Sequence, residues 1–175
     1  MVQADPRSLS RPLLAWFDRH ARPLPWRGTR DPYRIWVSEV MLQQTRVEVV
    51  IGRWQAFLDR FPDIESLAGA SESEVLAEWA GLGYYRRVRS LHRAARELVG
   101  RGVTELPRDA AELRLLPGFG AYTAGAVASI AFGERTTAVD GNVERVFARL
   151  LALEDDPSRA PAKKVVQAAA SALLD

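Results

Sequence analysis

Apolar positions recur at helical spacing almost from end to end of this chain. Leu13, Leu14, Trp16 and Phe17 predict a first helix, ended by the stretch Arg22 to Pro25 with its two prolines. Pro32 stands at a helix start, followed by Tyr33, Ile35, Trp36, Val37, Val40, Met41 and Leu42. Trp54, Phe57, Leu58 and Phe61 give a further face up to Pro62. Ser71, with Glu74 three residues on, has the form of a capping box and opens a helix through Val75, Leu76 and Trp79. Gly81 and Gly83 stop it, and Val88, Leu91, Ala94, Ala95, Leu98 and Val99 form the next, ending at Gly100 and Gly102. Leu113, Leu115 and Leu116 lead into a turn from Pro117 to Gly120, then a helix of small residues from about Thr123 to Phe132. Asp140 precedes a helix through Val143, Val146, Phe147, Leu150 and Leu151, and residues 161–174 form an alanine-rich last one. Only Thr136 to Val139 looks like a strand, and it is short and bounded by charge. The pattern predicts an all-α fold of roughly nine or ten short helices, without internal repeat or low-complexity linker.

Composition narrows the class. With 175 residues, 47% hydrophobic and 26% charged, the chain fits one globular domain or two small lobes sharing a cleft. No apolar run reaches the roughly 18 residues of a membrane span, and MVQADPRSLS lacks a signal peptide's hydrophobic core. A cytoplasmic protein with no membrane partner is expected. The absence of cysteine excludes disulfides and a thiolate-bound metal on this chain, and His20 and His92 are too far apart in sequence to suggest zinc.

Net charge is only +2, but its distribution is uneven. All but two of the 24 basic residues are arginine, the side chain suited to bidentate phosphate contacts. Residues 84–108 carry seven arginines against two acids, whereas residues 61–83 carry five acids and no base. Such segregation can give a nearly neutral protein one basic, nucleic-acid-binding face. Arginine-rich solvated helix faces account for the same counts, so charge alone leaves both readings open.

Leu116 to Gly125 (LPGFGAYTAG) carries more chemistry. Glycines permit positive φ and let a backbone phosphate approach without a Cβ in the way. The N–H groups of the following first helical turn can bind that phosphate. This is the form of a helix-hairpin-helix, a sequence-independent DNA grip, over about residues 106–132; an ordinary helix–helix turn is the blander alternative. Asp140, in Val139 to Val143 (VDGNV), is placed as an N-cap, where backbone N–H groups and the helix dipole hold a carboxylate ionised. An ionised carboxylate is what a cation-like sugar transition state needs. Glu39, within WVSEVMLQQT, lies among apolar residues. On a solvated face it does nothing special; in an apolar pocket, desolvation favours its protonated form and suits it to general-acid work. Two carboxylates in opposed environments fit acid-assisted glycosidic cleavage.

Taken together, Trp36 to Thr45 (WVSEVMLQQT), Gly81 to Tyr85 (GLGYY), Leu116 to Gly125 and Val139 to Val143 resemble, in order and spacing, the adenine DNA glycosylases of the helix-hairpin-helix superfamily. The likeness runs from about Leu9 to Leu153. It implies a two-lobed all-α fold, with a six-helix barrel lobe over 25–133 and a second lobe from 1–24 plus 134–175. It implies a monomer acting on double-stranded DNA, removing flipped-out adenine opposite 8-oxoguanine or guanine. In that family pattern Glu39 protonates adenine at N7 and later helps activate water, while Asp140 stabilises or traps the sugar cation. Tyr122 and Asn142 support the two acids. Arg22, Leu24, Trp26, Arg27 and Leu42 match adenine-pocket positions, although Trp26 and Leu42 also suit a core. Gln44 and Tyr84 match residues that enter the base stack, although Tyr84 also suits a hairpin aromatic, with Gln43, Gly118, Gly120, Tyr122 and Thr123 at further DNA-contacting positions. Endonuclease III-like relatives have a lysine where Tyr122 stands, so a monofunctional glycosylase without Schiff-base strand cleavage is expected.

The family's second lobe continues into helices with four cysteines holding a [4Fe-4S] cluster, then a domain that reads 8-oxoguanine. This sequence carries no such segment and is expected to be a core truncated before the iron–sulfur segment, with its second lobe incomplete and no cofactor of its own; a reduced homologue stable without the cluster is the other reading. Val146, Leu150, Val165 and Val166 would then lack part of their cover. The alternative function is a catalytically impaired DNA-binding fragment of such an enzyme; a purely structural helical domain is the third.

Overall fold

A computed structural model describes residues 6–157 and 159–174. Ten α-helices and two short 3-10 turns, Pro6–Leu9 and Pro25–Gly28, make up its regular structure, and no strand occurs among the described residues. The helices are α1 (Ser10–His20), α2 (Pro32–Leu42), α3 (Val47–Arg60), α4 (Ile64–Gly69), α5 (Glu72–Glu78), α6 (Arg86–Gly100), α7 (Ala110–Leu113), α8 (Ala121–Phe132), α9 (Gly141–Leu150) and α10 (Ala160–Ala172). No helix among the described residues is long and apolar enough to cross a membrane. The chain divides into two compact units, Leu24–Glu134 and the pair of segments Met1–Pro23 and Arg135–Asp175.

Polar residues just ahead of the helices set their starts in the larger unit. Asp31 accepts from the Arg34 N–H at 3.0 Å, with Pro32 opening α2. Asp63 with Ser66, and Ser71 with Glu74, close reciprocal capping boxes on α4 and α5. Asp109 caps α7 through the Glu112 N–H at 2.8 Å. Hydrogen bonds from Ser71 hold the Glu74 carboxyl below its ordinary value, and Arg60 adds to the effect.

α2 is the axis of this unit. Tyr33 and every residue from Ile35 to Met41 are buried, so the helix is covered nearly all round and packs on α3, α6 and α8. Phe57, Phe61 and Trp79 meet edge to face nearby, with ring centroids 5.1 and 5.8 Å apart. The polar tips of the buried aromatics find acceptors: Tyr33 Oη donates to Phe61 O at 2.9 Å, Trp54 Nε1 to Arg34 O at 3.1 Å, and Trp79 Nε1 to Gly83 O at 3.0 Å. Burial, with Asp63 and Asp31 near, pushes the Tyr33 hydroxyl far above its ordinary value and keeps it a donor.

In the smaller unit Phe147, Val166 and Ala170 join α9 to α10. Val166 is buried and Leu150 half-buried against that cluster, whereas Val146 and Val165 stand 58% and 46% exposed on the outer sides of the two helices. α1 forms where the spacing predicts it, yet Leu13, Leu14, Trp16 and Phe17 are all exposed, and α1 has no buried residue. Periodicity made that helix amphipathic, but its principal neighbour is the short turn Pro6–Leu9. The strand-like run from Thr136 to Val139 is irregular chain. Gln167 donates to the Thr137 hydroxyl and Arg135 to the Leu174 carbonyl, which pins this segment along α10.

Candidate active site

Glu39 sits on the buried axis helix at 8% exposure; the other buried polar residues described in this unit are Ser38, His92 and Thr123. α8 packs across α2 and brings its first turn to this region: Tyr122 is half-buried, and Thr123 Oγ1 accepts from Gln43 Nε2 at 3.2 Å. Leu24 and Leu42 are half-buried at the edge of the core. Trp26 is a core residue set edge-on to Trp54 at 6.0 Å, and Arg27 is exposed. Arg22, also exposed, belongs to the smaller unit.

The hairpin turn is built around two different glycines. Gly118 has φ +82°, and a Cβ there would stand 2.6 Å from the Ser90 Cβ, so both its conformation and the approach of α6 require glycine. Gly120 is extended, at φ −78° and ψ 175°, and a Cβ on it would meet nothing within 4 Å. Backbone freedom is therefore not what Gly120 supplies; it leaves the start of α8 open, and no side chain caps that start. Phe119 between them faces inward and stacks on Trp36 at 5.0 Å, which seats the turn directly on the axis helix.

Gln44 and Tyr84 share an uncommon backbone state. Both lie in the left-handed region, at φ 55° and 47°, although neither is glycine or asparagine. Each costs on the order of 1 kcal/mol, and both side chains are exposed, Tyr84 by 61%. What holds them is Arg87, one of the seven arginines of residues 84–108. Its guanidinium turns inward and donates to the carbonyls of Val40 (2.8 Å), Met41 (2.9 Å), Leu82 (3.1 Å) and Gly83 (3.2 Å), to the Gln43 carbonyl, and to Thr45 Oγ1 (3.0 Å). It also lies over the rings of Trp79 and Tyr84, at 5.4 and 5.5 Å. Desolvation draws its pKa down from the ordinary value. One cation thus ties the last carbonyls of α2, where the helix leaves acceptors unpaired, to the loop bearing Tyr84. Arg87→Ala is expected to lower unfolding free energy by about 2–4 kcal/mol, read by urea titration. Arg87→Lys should recover only a small part, because an ammonium cannot reproduce the fork.

In the smaller unit Asp140 caps α9. Its Oδ1 accepts from the N–H groups of Asn142 (3.0 Å) and Val143 (2.9 Å), and its Oδ2 accepts from Asn142 Nδ2 at 2.7 Å. Arg145 Nη2 donates in turn to Asn142 Oδ1 at 2.7 Å, which fixes the way the amide faces. Arg145 was not singled out in the sequence; its position one turn beyond Asn142 is the signal that was available.

Among the described residues no group of three or more His, Asp or Glu side chains could hold a metal ion, and the chain has no cysteine. The donors present do not fit a thiolate-bound cluster.

Residues 37–172 match the family described as HhH-GPD superfamily base excision DNA repair protein. A human protein named adenine DNA glycosylase is 46% identical over 172 residues, covering 93% of this chain and 32% of that protein. One of the same name from Mycolicibacterium smegmatis is 44% identical over 138 residues, covering 78% of this chain and 47% of its own. The chain thus spans about a third to a half of the length of these relatives. Among solved structures, a thermostable thymine-DNA glycosylase superimposes with a TM-score of 0.85 at 27% identity, covering 97% of this chain and 78% of its own. An endonuclease III–DNA covalent intermediate gives 0.73 at 22% identity, covering 99% and 85%, a likeness of fold.

Proposed function

The chain belongs to the HhH-GPD superfamily of base excision DNA repair proteins, and from that premise we propose that it carries the excising core of an adenine DNA glycosylase. Its substrate is adenine opposite 8-oxoguanine or guanine in double-stranded DNA, flipped out of the stack before cleavage. The observation that carries the reading is a pair of carboxyls in opposed settings. Glu39 is buried on α2, while Asp140 is fixed at a helix N-terminus by three N–H donors.

In the proposed reaction Glu39 delivers its proton to adenine N7. The C1′–N9 bond breaks and its electron pair leaves with the base. The Asp140 carboxylate stabilises the positive charge at C1′ or closes on it as a covalent adduct. Water then adds at C1′, breaking the bond to Asp140 where the adduct has formed, and one of its protons returns to Glu39. Asn142 holds the Asp140 carboxylate in place, and Tyr122 takes a supporting position beside the acids. Gln44 and Tyr84 enter the stack where the adenine has left. The hairpin turn and the open start of α8 grip a backbone phosphate.

Tyr122 offers no amine, so no imine with the sugar forms and the strand stays intact. The same proposal makes the protein a monomer in the cytoplasm, at nucleoid DNA, needing no cofactor held by these residues. The test is a single-turnover assay on a duplex with one adenine opposite 8-oxoguanine, with parallel borohydride treatment. Free adenine without a trapped protein–DNA adduct is expected. Efficient trapping overturns the monofunctional assignment. Duplex binding without any adenine release would favour the reading as a non-cleaving DNA-binding fragment.

A further inference from the structure

On the side of α6 away from its buried face runs a row of arginines that the proposed chemistry leaves unused. Arg86, Arg89, Arg93 and Arg96 follow at three- and four-residue intervals and are all exposed, whereas Val88, Leu91, Ala94, Ala95 and Leu98 are buried. Arg89 Nε lies 2.8 Å from Glu72 Oε1. Among the described residues Arg86, Arg93 and Arg96 have neither an ion pair nor a hydrogen bond from their side chains.

A solvated helix face is the ordinary fate of such a row, but the surroundings of its first three members are not ordinary. Arg86, Arg89 and Arg93 line a groove of about 650 Å³ together with Gln44, Tyr84 and Gly118. One depression therefore joins the two left-handed residues to the glycine of the hairpin turn. The join is tight, because Ser90 on the same stretch of α6 is the residue a Cβ at position 118 would strike. No acid lines this groove. Arg86 to Arg93 spans about 10 Å of helix at 1.5 Å per residue. Phosphates of one strand follow at about 3.4 Å along the duplex axis, so the row matches roughly three of them. Guanidinium groups meet phosphate oxygens as bidentate forks, and their long side chains adapt to small differences in spacing.

We propose that Arg86, Arg89 and Arg93 form a phosphate track that holds the backbone of a DNA strand where it passes the hairpin turn. It is a second sequence-independent grip beside the N-terminus of α8. The track rests on the reading of this chain as one that acts on duplex DNA. Arg89 exchanges Glu72 for a phosphate on binding, while Arg86 and Arg93 gain their first anionic partner.

The test is fluorescence anisotropy of an undamaged duplex across a series of salt concentrations. Each phosphate neutralised contributes about 0.9 to the slope of log K against log[salt]. The double variant R86A/R93A is expected to flatten the slope by roughly 1.8, and lysine at both positions should restore most of it. Arg60, which pairs with Glu74 at 2.5 Å, serves as the control, and Arg60→Ala should leave the slope as it was. A parental slope in R86A/R93A overturns the track and leaves the glycosylase reading standing. A parent chain that binds no duplex at any salt overturns both.

Discussion

Glu39→Gln is expected to slow adenine release in a single turnover by at least roughly 10²–10⁴-fold, with duplex affinity and unfolding midpoint close to the parent's. The amide keeps the size and shape of the carboxyl, so the packing of a residue only 8% exposed on the axis helix is preserved. What the amide cannot do is give up a proton to a departing base. Proton delivery matters here because adenine leaves poorly as an anion, and N7 protonation turns it into a neutral leaving group. A binding role for Glu39 would show as weakened duplex affinity, and a purely structural one as a lowered midpoint with the rate largely kept. A rate within tenfold of the parent in a folded, DNA-binding Glu39→Gln protein removes the general acid from the mechanism. Glu39→Asp is the complementary variant. It retains the acid but withdraws it by one methylene, and an intermediate rate is expected of a group that must reach a particular atom.

Where the chain writes its instructions locally, they were readable. Ser71 and Glu74 close the capping box that their spacing announced, and Asp140 caps α9 as its place before Val143 and Val146 suggested. Gly118 is a third such case, with the positive φ expected of a hairpin glycine. Gly120 is not, because an extended backbone admits any residue and only the surrounding space gives its glycine a purpose. Arg87 was illegible for a different reason. In sequence it is one arginine in a run of them, and the carbonyls that draw it inward include Val40 and Met41, 47 and 46 residues away. Nothing local distinguishes it from Arg86 beside it. The left-handed states of Gln44 and Tyr84 were hidden for the same reason, since tertiary contacts hold them and residue type does not. α1 forms as its spacing announced, but its apolar stripe states only that a face would gain from cover, not that a neighbour supplies it. For the candidate site, the residue types and their order were legible. The bonding that orients them, such as Arg145 through Asn142 to Asp140, was not.

Asp140→Asn separates two roles that one carboxylate holds at once. As the N-cap of α9, Asp140 can be replaced by asparagine at little cost, because both side chains offer an oxygen to the N–H groups of residues 142 and 143. The unfolding midpoint should therefore stay near the parent's, whereas Asp140→Ala, which loses the cap, should cost about 1 kcal/mol. As the counter-charge to a sugar cation, asparagine is no substitute. Removing one preorganised electrostatic group from a transition state costs roughly 10²–10³ in rate, and Asp140→Asn should lose at least that in adenine release. The new amide also meets the Asn142 side chain, which Arg145 holds with its Nδ2 directed at Asp140 Oδ2. Only the carbonyl end of the substituted side chain can accept from it, and that end is also the acceptor the cap requires. Competition for a single oxygen should leave Asn142 less fixed, so Arg145→Ala is expected to slow the parent but to add little to the loss in Asp140→Asn. Full additivity of the two rate effects would show that Arg145 acts on something other than this carboxylate. An Asp140→Asn protein that keeps both its midpoint and its excision rate would leave Asp140 with the cap alone.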